Sequence, residues 1–314
     1  MRVALTIGAV VLCVACHNAP SDPGGPGGPD IDGSVGSGGG GSDASVPEGF
    51  TTLISRSWTI ASNTEAYKCV RMQVPTDMWI TAFHSISPVG THHSVLTIST
   101  NSTMVGEYNC DAGSLDSEML YAAGVNTDDN DFPAGVAIHV AAGTYVNLNL
   151  HLFNTTDNPI TGTSGVMVKN IAQADVQNEA DMQFSGTFII SVPNDGQVHT
   201  ATGGCNVAHD FHMFTLWPHM HQTATHQTLT VTPSGGTAAT LLDTDYEFGN
   251  QKNYPITDTL VPAGAHISTT CTYVNNTDHA ESFSESSDQE MCFTGIYRYP
   301  AGGNLFACAM GQSI

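Results

Sequence analysis

His219-Met220-His221 is the most informative spacing in the chain, because side chains two apart on a strand point to one face and both imidazoles can then reach a single metal ion. It lies in the richest part of a histidine-rich sequence: of 14 His, six (His199, His209, His212, His219, His221 and His226) fall between positions 199 and 226. The alternative for an isolated His-x-His is two solvated rings on an exposed strand. His92-His93 is a second candidate, although adjacent strand residues face opposite sides and shared ligation needs an irregular strand. His151 stands in an alternating run, Asn147–Phe153, where a single His is ordinarily a core or rim residue. Met291 offers a thioether directly before Cys292; it too has an ordinary reading, as core packing.

The elements that must carry these groups are strands. Short runs rich in Val, Ile, Thr and aromatics lie between turn clusters at Met78–Phe83, His93–Ser99, Tyr145–Phe153, Thr187–Val192, Gln227–Thr232 and His266–Val274, with no sustained helical period. They predict an all-β fold of two tandem antiparallel β-sandwich, jelly-roll-like domains. Residues 142–157 and 263–278 also match at a constant offset of 121, with Gly, Asn, Thr and Asp in register at the two ends of one strand. This reads as a structural duplication with a boundary near residue 180, giving domains at 50–180 and 181–314. Chance similarity of two turn–strand–turn units is the alternative.

Charge excludes one class of partner. Seven Lys+Arg against 29 Asp+Glu give a formal charge of −22, and nucleic acid is no partner for a chain without clustered cations. Met1-Arg2 followed by an apolar run to Ala15 reads as an export signal, residues 1–16, and Cys13-Val14-Ala15-Cys16 resembles a lipobox with Cys16 as the lipidated residue. Residues 17–49 form a flexible linker: ten Gly and five Pro between His17 and Glu48 cannot bury enough apolar surface to order the segment. The expected location is outside the cytoplasm, on the bacterial outer membrane or cell surface, with the lipid as the membrane contact. In such a compartment the six remaining cysteines read as disulfides, and no CxxC pair nucleates a thiolate metal site.

Taken in order, Thr91-His92-His93-Ser94, Leu150-His151-Leu152, His212 to His221 and Asp288-Gln289-Glu290-Met291-Cys292 resemble the type II copper, ascorbate-dependent monooxygenases. That family includes peptidylglycine α-hydroxylating monooxygenase and dopamine β-monooxygenase, and the resemblance spans about residues 52–308. It implies two copper ions per chain. His92, His93 and His151 would hold the electron-donating ion, and the catalytic trio His219, His221 and Met291 would hold the oxygen-activating one. It also implies the disulfides Cys69–Cys110, Cys205–Cys308 and Cys271–Cys292, the last pinning Met291 beside its strand.

The implied activity is hydroxylation of a C–H bond in a small organic substrate, using dioxygen and ascorbate or another one-electron reductant. The chain departs from the family at Ser94, where Met is usual, and at Trp217, where the peptide-amidating members carry a carboxylate-gripping Arg. After Cys292 it carries Phe293-Thr294-Gly295, where those members have Asn and Tyr. Trp217 and Phe293 therefore become candidate pocket residues for a neutral or aromatic substrate. Two other readings stand beside the enzyme. One is a non-catalytic copper-binding or surface-recognition lipoprotein that keeps the fold. The other is an adhesion module with calcium at the acidic turn Thr127–Asp131, which lacks the spaced oxygen ligands of a known calcium loop.

Overall fold

Strict alternation builds the first strand: Ile54, Arg56, Trp58 and Ile60 are buried while Ser55, Ser57 and Thr59 face solvent. A computed structural model describes residues 46–101, 104–124, 127–303 and 305–314. The expected export signal, Cys16 and most of the linker lie outside the described residues. Val46–Ile314 forms one compact unit.

Among the described residues eleven strands lie before residue 180: β1 (Thr51–Ile60), β2 (Thr64–Gln73), β3 (Met78–Ile86), β4 (Thr91–Ser99), β5 (Gly106–Asn109), β6 (Glu118–Gly124), β7 (Asn130–Asp131), β8 (Val136–Val140), β9 (Tyr145–Asn154), β10 (Ile160–Asn170) and β11 (Asn178–Glu179). Ten follow: β12 (Asp181–Gly186), β13 (Ser191–Val192), β14 (Val198–Asn206), β15 (Phe211–His219), β16 (Ala224–Thr232), β17 (Ala239–Asp245), β18 (Tyr254–Val261), β19 (His266–Val274), β20 (Glu281–Ser282) and β21 (Phe293–Tyr299). The fold is all-β, with short 3-10 turns at Gln173–Asp175 and Ala307–Met310. Among the described residues no helix is long and apolar enough to cross a membrane.

The first eleven strands form two sheets, β1-β10-β3-β8-β11 with β7 on β3, and β5-β2-β9-β4-β6. Trp58, Ile80, Phe83 and Val166 of one meet Leu96, Leu148, Leu150 and Leu152 of the other in one core. The later strands form β12-β21-β15-β18 and β14-β19-β16-β17, with the small pair β13-β20. Met213, Leu216 and Ile296 pack there with Leu229, Leu242 and Ile267. Among the described residues no sheet mixes strands from before and after residue 180. The first core nevertheless continues into Met182, Phe214, Trp217 and Tyr297. Tyr297 Oη also donates to the Leu120 carbonyl at 3.1 Å.

The stretches matched at offset 121 use the same hydrogen bonds. Ala142 N donates to Asp77 Oδ1 and Ala263 N to Asp210 Oδ1, each at 2.7 Å. Gly143 and Gly264 take the positive φ of the turn, 86° and 82°. At the far end Thr156 Oγ1 donates to Asn154 Oδ1 at 2.8 Å and Thr277 Oγ1 to Asn275 Oδ1 at 2.7 Å. The two asparagine Nδ2 groups donate to the carbonyls of Asn158 and His279, each at 2.9 Å. A register shift recurs as well, between Thr91 and His93 on β4 against β9, and between Ala224 and His226 on β16 against β19.

One expected strand is corrected. Thr187–Val192 is not continuous: β12 ends at Gly186 and only Ser191–Val192 are extended and paired. Thr187 Oγ1 accepts the Ile189 N–H at 3.0 Å, a side-chain turn that competes with the ladder.

Asn154→Ala and Asn275→Ala should each lower stability by about 1–3 kcal/mol, the loss of several hydrogen bonds through which a buried amide closes the turn, each worth about 0.5–1.5 kcal/mol. Urea denaturation checks this. A negligible loss at either position would show that the paired motifs are not structurally equivalent.

Candidate metal centre and cavity

The register shift solves the problem of adjacent histidines. On β4, Thr91 pairs with Leu152 and His93 with His151, so His92 is the extra residue of a β-bulge. The bulge turns His92 toward the same side as its neighbour. His92 Nδ1 lies 3.1 Å from His93 Nδ1, which lies 3.4 Å from His151 Nδ1. Ligand atoms of all three fall within 4.8 Å of one another. His151 Nε2 donates to Glu65 Oε1 at 2.5 Å, which leaves its Nδ1 lone pair facing the other rings. Tyr67, opposite His151 on β2, stacks on it at 4.5 Å.

The face of β9 that carries His151 also carries Asn147 and Asn149, and it is covered by chain rather than water. Asn147 Nδ2 donates to the Ser114 carbonyl at 3.0 Å and Asn149 Nδ2 to the Asp111 carbonyl at 2.9 Å. The disulfide Cys69–Cys110 ties that covering segment to β2. The other disulfides join Cys205 to Cys308 and Cys271 to Cys292, so the same three pairs named from the resemblance are bridged.

His219 ends β15 and His221 lies just beyond, their rings 5.5 Å apart and perpendicular. Each has its Nδ1 occupied. His219 Nδ1 lies 3.1 Å from Gln251 Oε1, and His221 Nδ1 donates to the Gln289 carbonyl at 2.9 Å. The Nδ1 sides of these two rings are thus held by the chain, whereas the rings of the first trio converge on Nδ1. Buried Glu290 accepts the backbone N–H groups of His221 (2.9 Å), Thr223 (2.8 Å) and Met291 (3.2 Å), locking the thioether's segment to the histidine strand.

One cavity of about 270 Å³ joins the two sets: His93 lines it from the first, and His219, His221 and Met291 from the second. Trp217 and Phe293 also line it, and Trp217 stacks on His219 at 4.7 Å. The remaining wall is largely aromatic, with Phe184, Phe188, Phe283 and Phe306, and Glu285 at its polar side. Among the described lining residues there is no Lys or Arg.

Other histidines of the rich segment go elsewhere. His199 pairs with Asp195, His212 with Asp258 and His226 with Asp243, while His209 lines a separate pocket. The acidic turn is likewise engaged, Asp129 with His84 and Asp131 with Lys169. Sequence reasoning missed Glu65, Tyr67, Phe248 and Gln251, none of which carries a local motif. Only Glu290 had a visible signal, its place beside Met291.

Burial keeps these imidazoles neutral, the state that binds metal. It pulls His92 and His151 down to about 4, His219 to about 3, and His93 well below the usual range, in each case with neighbouring imidazoles as a further cause. His221 is lowered by burial as well.

The second half has a counterpart among known proteins. Residues 181–313 match the copper type II ascorbate-dependent monooxygenase C-terminal domain. The match contains His219, His221 and Met291, and supports a monooxygenase-family relation for this chain. His92, His93 and His151 lie outside it. No curated protein matches the chain. Among solved structures, infectious bursal disease virus Gx strain shares 10% identity over 82% of this chain and 75% of that chain, with a TM-score of 0.20. The VP2 subviral particle of infectious bursal disease virus shares 10% identity over 83% and 74%, with a TM-score of 0.18. Likeness at that level carries no argument.

The lowered histidines set a pH dependence. Between about 4 and the ordinary 6.5 the unfolded chain binds protons that the folded chain refuses, so stability rises with pH across that window. Glu290, pushed up to about 7 by burial, and Glu281, also raised by burial, give the opposite slope, but these two glutamates oppose five lowered histidines. Metal-free protein should therefore melt higher at pH 6.5 than at pH 4.5, and His93→Asn should shrink the difference. A flat profile would contradict the buried-neutral assignment.

Proposed function

We propose that the chain is a copper-dependent monooxygenase that hydroxylates a C–H bond of a small organic substrate, using dioxygen and ascorbate or another one-electron reductant. The observation that carries this reading is the single cavity that holds His93 of one trio and His219, His221 and Met291 of the other. The donor chemistry fits copper: neutral imidazoles and a thioether suit Cu(I), and none of the six described cysteines is a free thiolate. Copper bound there supplies one-electron redox chemistry and activation of dioxygen.

The chain's own residues supply the rest. Gln251 and Gln289 hold the Nδ1 side of His219 and His221, so that both Nε2 atoms can face the ion. Glu65 does the same for His151 through the opposite nitrogen. Trp217, Phe184 and Phe293 exclude water and offer ring faces to a substrate. Without Lys or Arg in the described wall, a substrate carboxylate has no cationic partner there, and burying it unpaired costs several kcal/mol. Neutral or cationic aromatic compounds are the proposed substrates.

The wider reading follows from the same features. Residues 50–180 and 181–314 form two tandem β-sandwich domains, each supplying one copper set. Export through the N-terminal signal and tethering at Cys16 suit a chain with three disulfides.

Copper loading and desalting should leave about two ions per chain, and reductant-driven oxygen uptake should require them. Met291→Ile should keep the fold and abolish turnover, because it preserves apolar volume and removes the sulfur. Copper-independent uptake, or full activity in Met291→Ile, would overturn the assignment. In a second assay a phenethylamine-like compound should turn over faster than a glycine-extended peptide at equal concentration. The reverse order would refute the reading of Trp217.

A further inference from the structure

One residue touches the machinery of both histidine sets without belonging to either. Gln251 lies in the connection between β17 and β18 and is almost fully buried, 2% exposed. Its side-chain carbonyl accepts from His219 Nδ1 at 3.1 Å. Its backbone carbonyl takes two donors from the first half of the chain, Thr127 Oγ1 at 2.7 Å and Gly124 N at 3.3 Å. Gly124 in turn is the β6 partner of His93 on β4. A Cβ at Gly124 would lie 2.9 Å from Gln251 Cβ, so the close approach depends on glycine there.

Neighbouring residues brace the same connection. Tyr246 Oη, buried, donates to the Met220 carbonyl at 2.5 Å and so holds the residue between His219 and His221. The Phe248 ring lies 4.4 Å from His92 and 6.0 Å from His221. Asn253 Nδ2 donates to the Ala122 carbonyl at 3.3 Å.

We infer that Gln251 is a positioning residue that ties the His219 imidazole to the strand pair carrying His93, fixing the tautomer of one metal ligand and its placement relative to the other trio. This rests on the reading of His219, His221 and Met291 as a copper site. The amide accepts from Nδ1–H and so leaves the lone pair on Nε2, while the backbone carbonyl makes that orientation depend on contact between the halves. Partners of this kind, once removed, typically cost 10–100-fold in metal affinity.

The test uses the whole chain and two readouts. In metal-free protein, nitrogen NMR shifts of the histidine rings should show His219 as the Nδ1–H tautomer, and Gln251→Leu should release it to a mixture. In Cu(I) competition titrations Gln251→Leu should weaken the His219–His221–Met291 site at least tenfold and leave the His92–His93–His151 site unchanged. Gln251→Glu, which keeps an acceptor, should restore both signals. Thr127→Val, which touches no ligand, should weaken the same site in the same direction. An unchanged tautomer and unchanged affinity in Gln251→Leu would overturn the inference. If His219→Ala nonetheless lost that copper, the copper reading would stand. A tautomer switch between the wild-type chain and Gln251→Leu, together with no copper uptake at His219 in the wild-type chain, would instead overturn the functional reading alone.

Discussion

An antiparallel strand sends successive side chains to opposite faces, and two neighbouring histidines on a regular strand can never serve one ion. The bulge at His92 breaks that rule at one residue, and the first trio depends on it. Because β9 is paired on both sides, by β2 and by β4, the bulge cannot relax by letting the strand drift. His151 is then fixed from the neighbouring strand β2 by Glu65 and Tyr67, so three imidazoles meet without a helix or a loop to carry them.

The second set straddles a strand end instead, with His219 closing β15 and His221 just beyond it. His219 and His221 are two residues apart, and their spacing was visible in the sequence because a period of two is written locally. Strand His266–Val274 was legible for the same reason and has the same bounds in the fold. Glu65, 86 residues from His151, and Gln251, 32 residues from His219, were not, because pairing register decides which distant side chains meet. Thr187–Val192 failed differently: its composition is that of a strand, but a threonine hydroxyl captured a backbone N–H and bent the chain.

The cavity gathers its wall from the outer faces of two sheets whose inner faces form separate cores. Tyr67, His93, Val95 and Asn149 come from β2, β4 and β9, and Phe184, Trp217, His219 and Phe293 from β12, β15 and β21. Each disulfide beside it sits where a covering segment leaves its sheet: Cys110 before the turn that holds Asn149, and Cys292 directly after Met291. Covalent staples thus hold the walls, while polar contacts through Gln251 hold the halves in relation to each other.

The recurrence of the bulge has a consequence for how such a site arises. On β16 the extra residue is Thr225, and the positions that match His93 and His151 hold His226, paired to Thr272. His226 already has a carboxylate partner in Asp243 at 2.8 Å. The second half therefore repeats the scaffold of the first trio with one of its three imidazoles in place. Thr225→His and Thr272→His together would complete the donor set on an existing backbone. In this architecture a cluster of three imidazoles is two substitutions away from a plain strand crossing, and the repeated unit is a ready substrate for design.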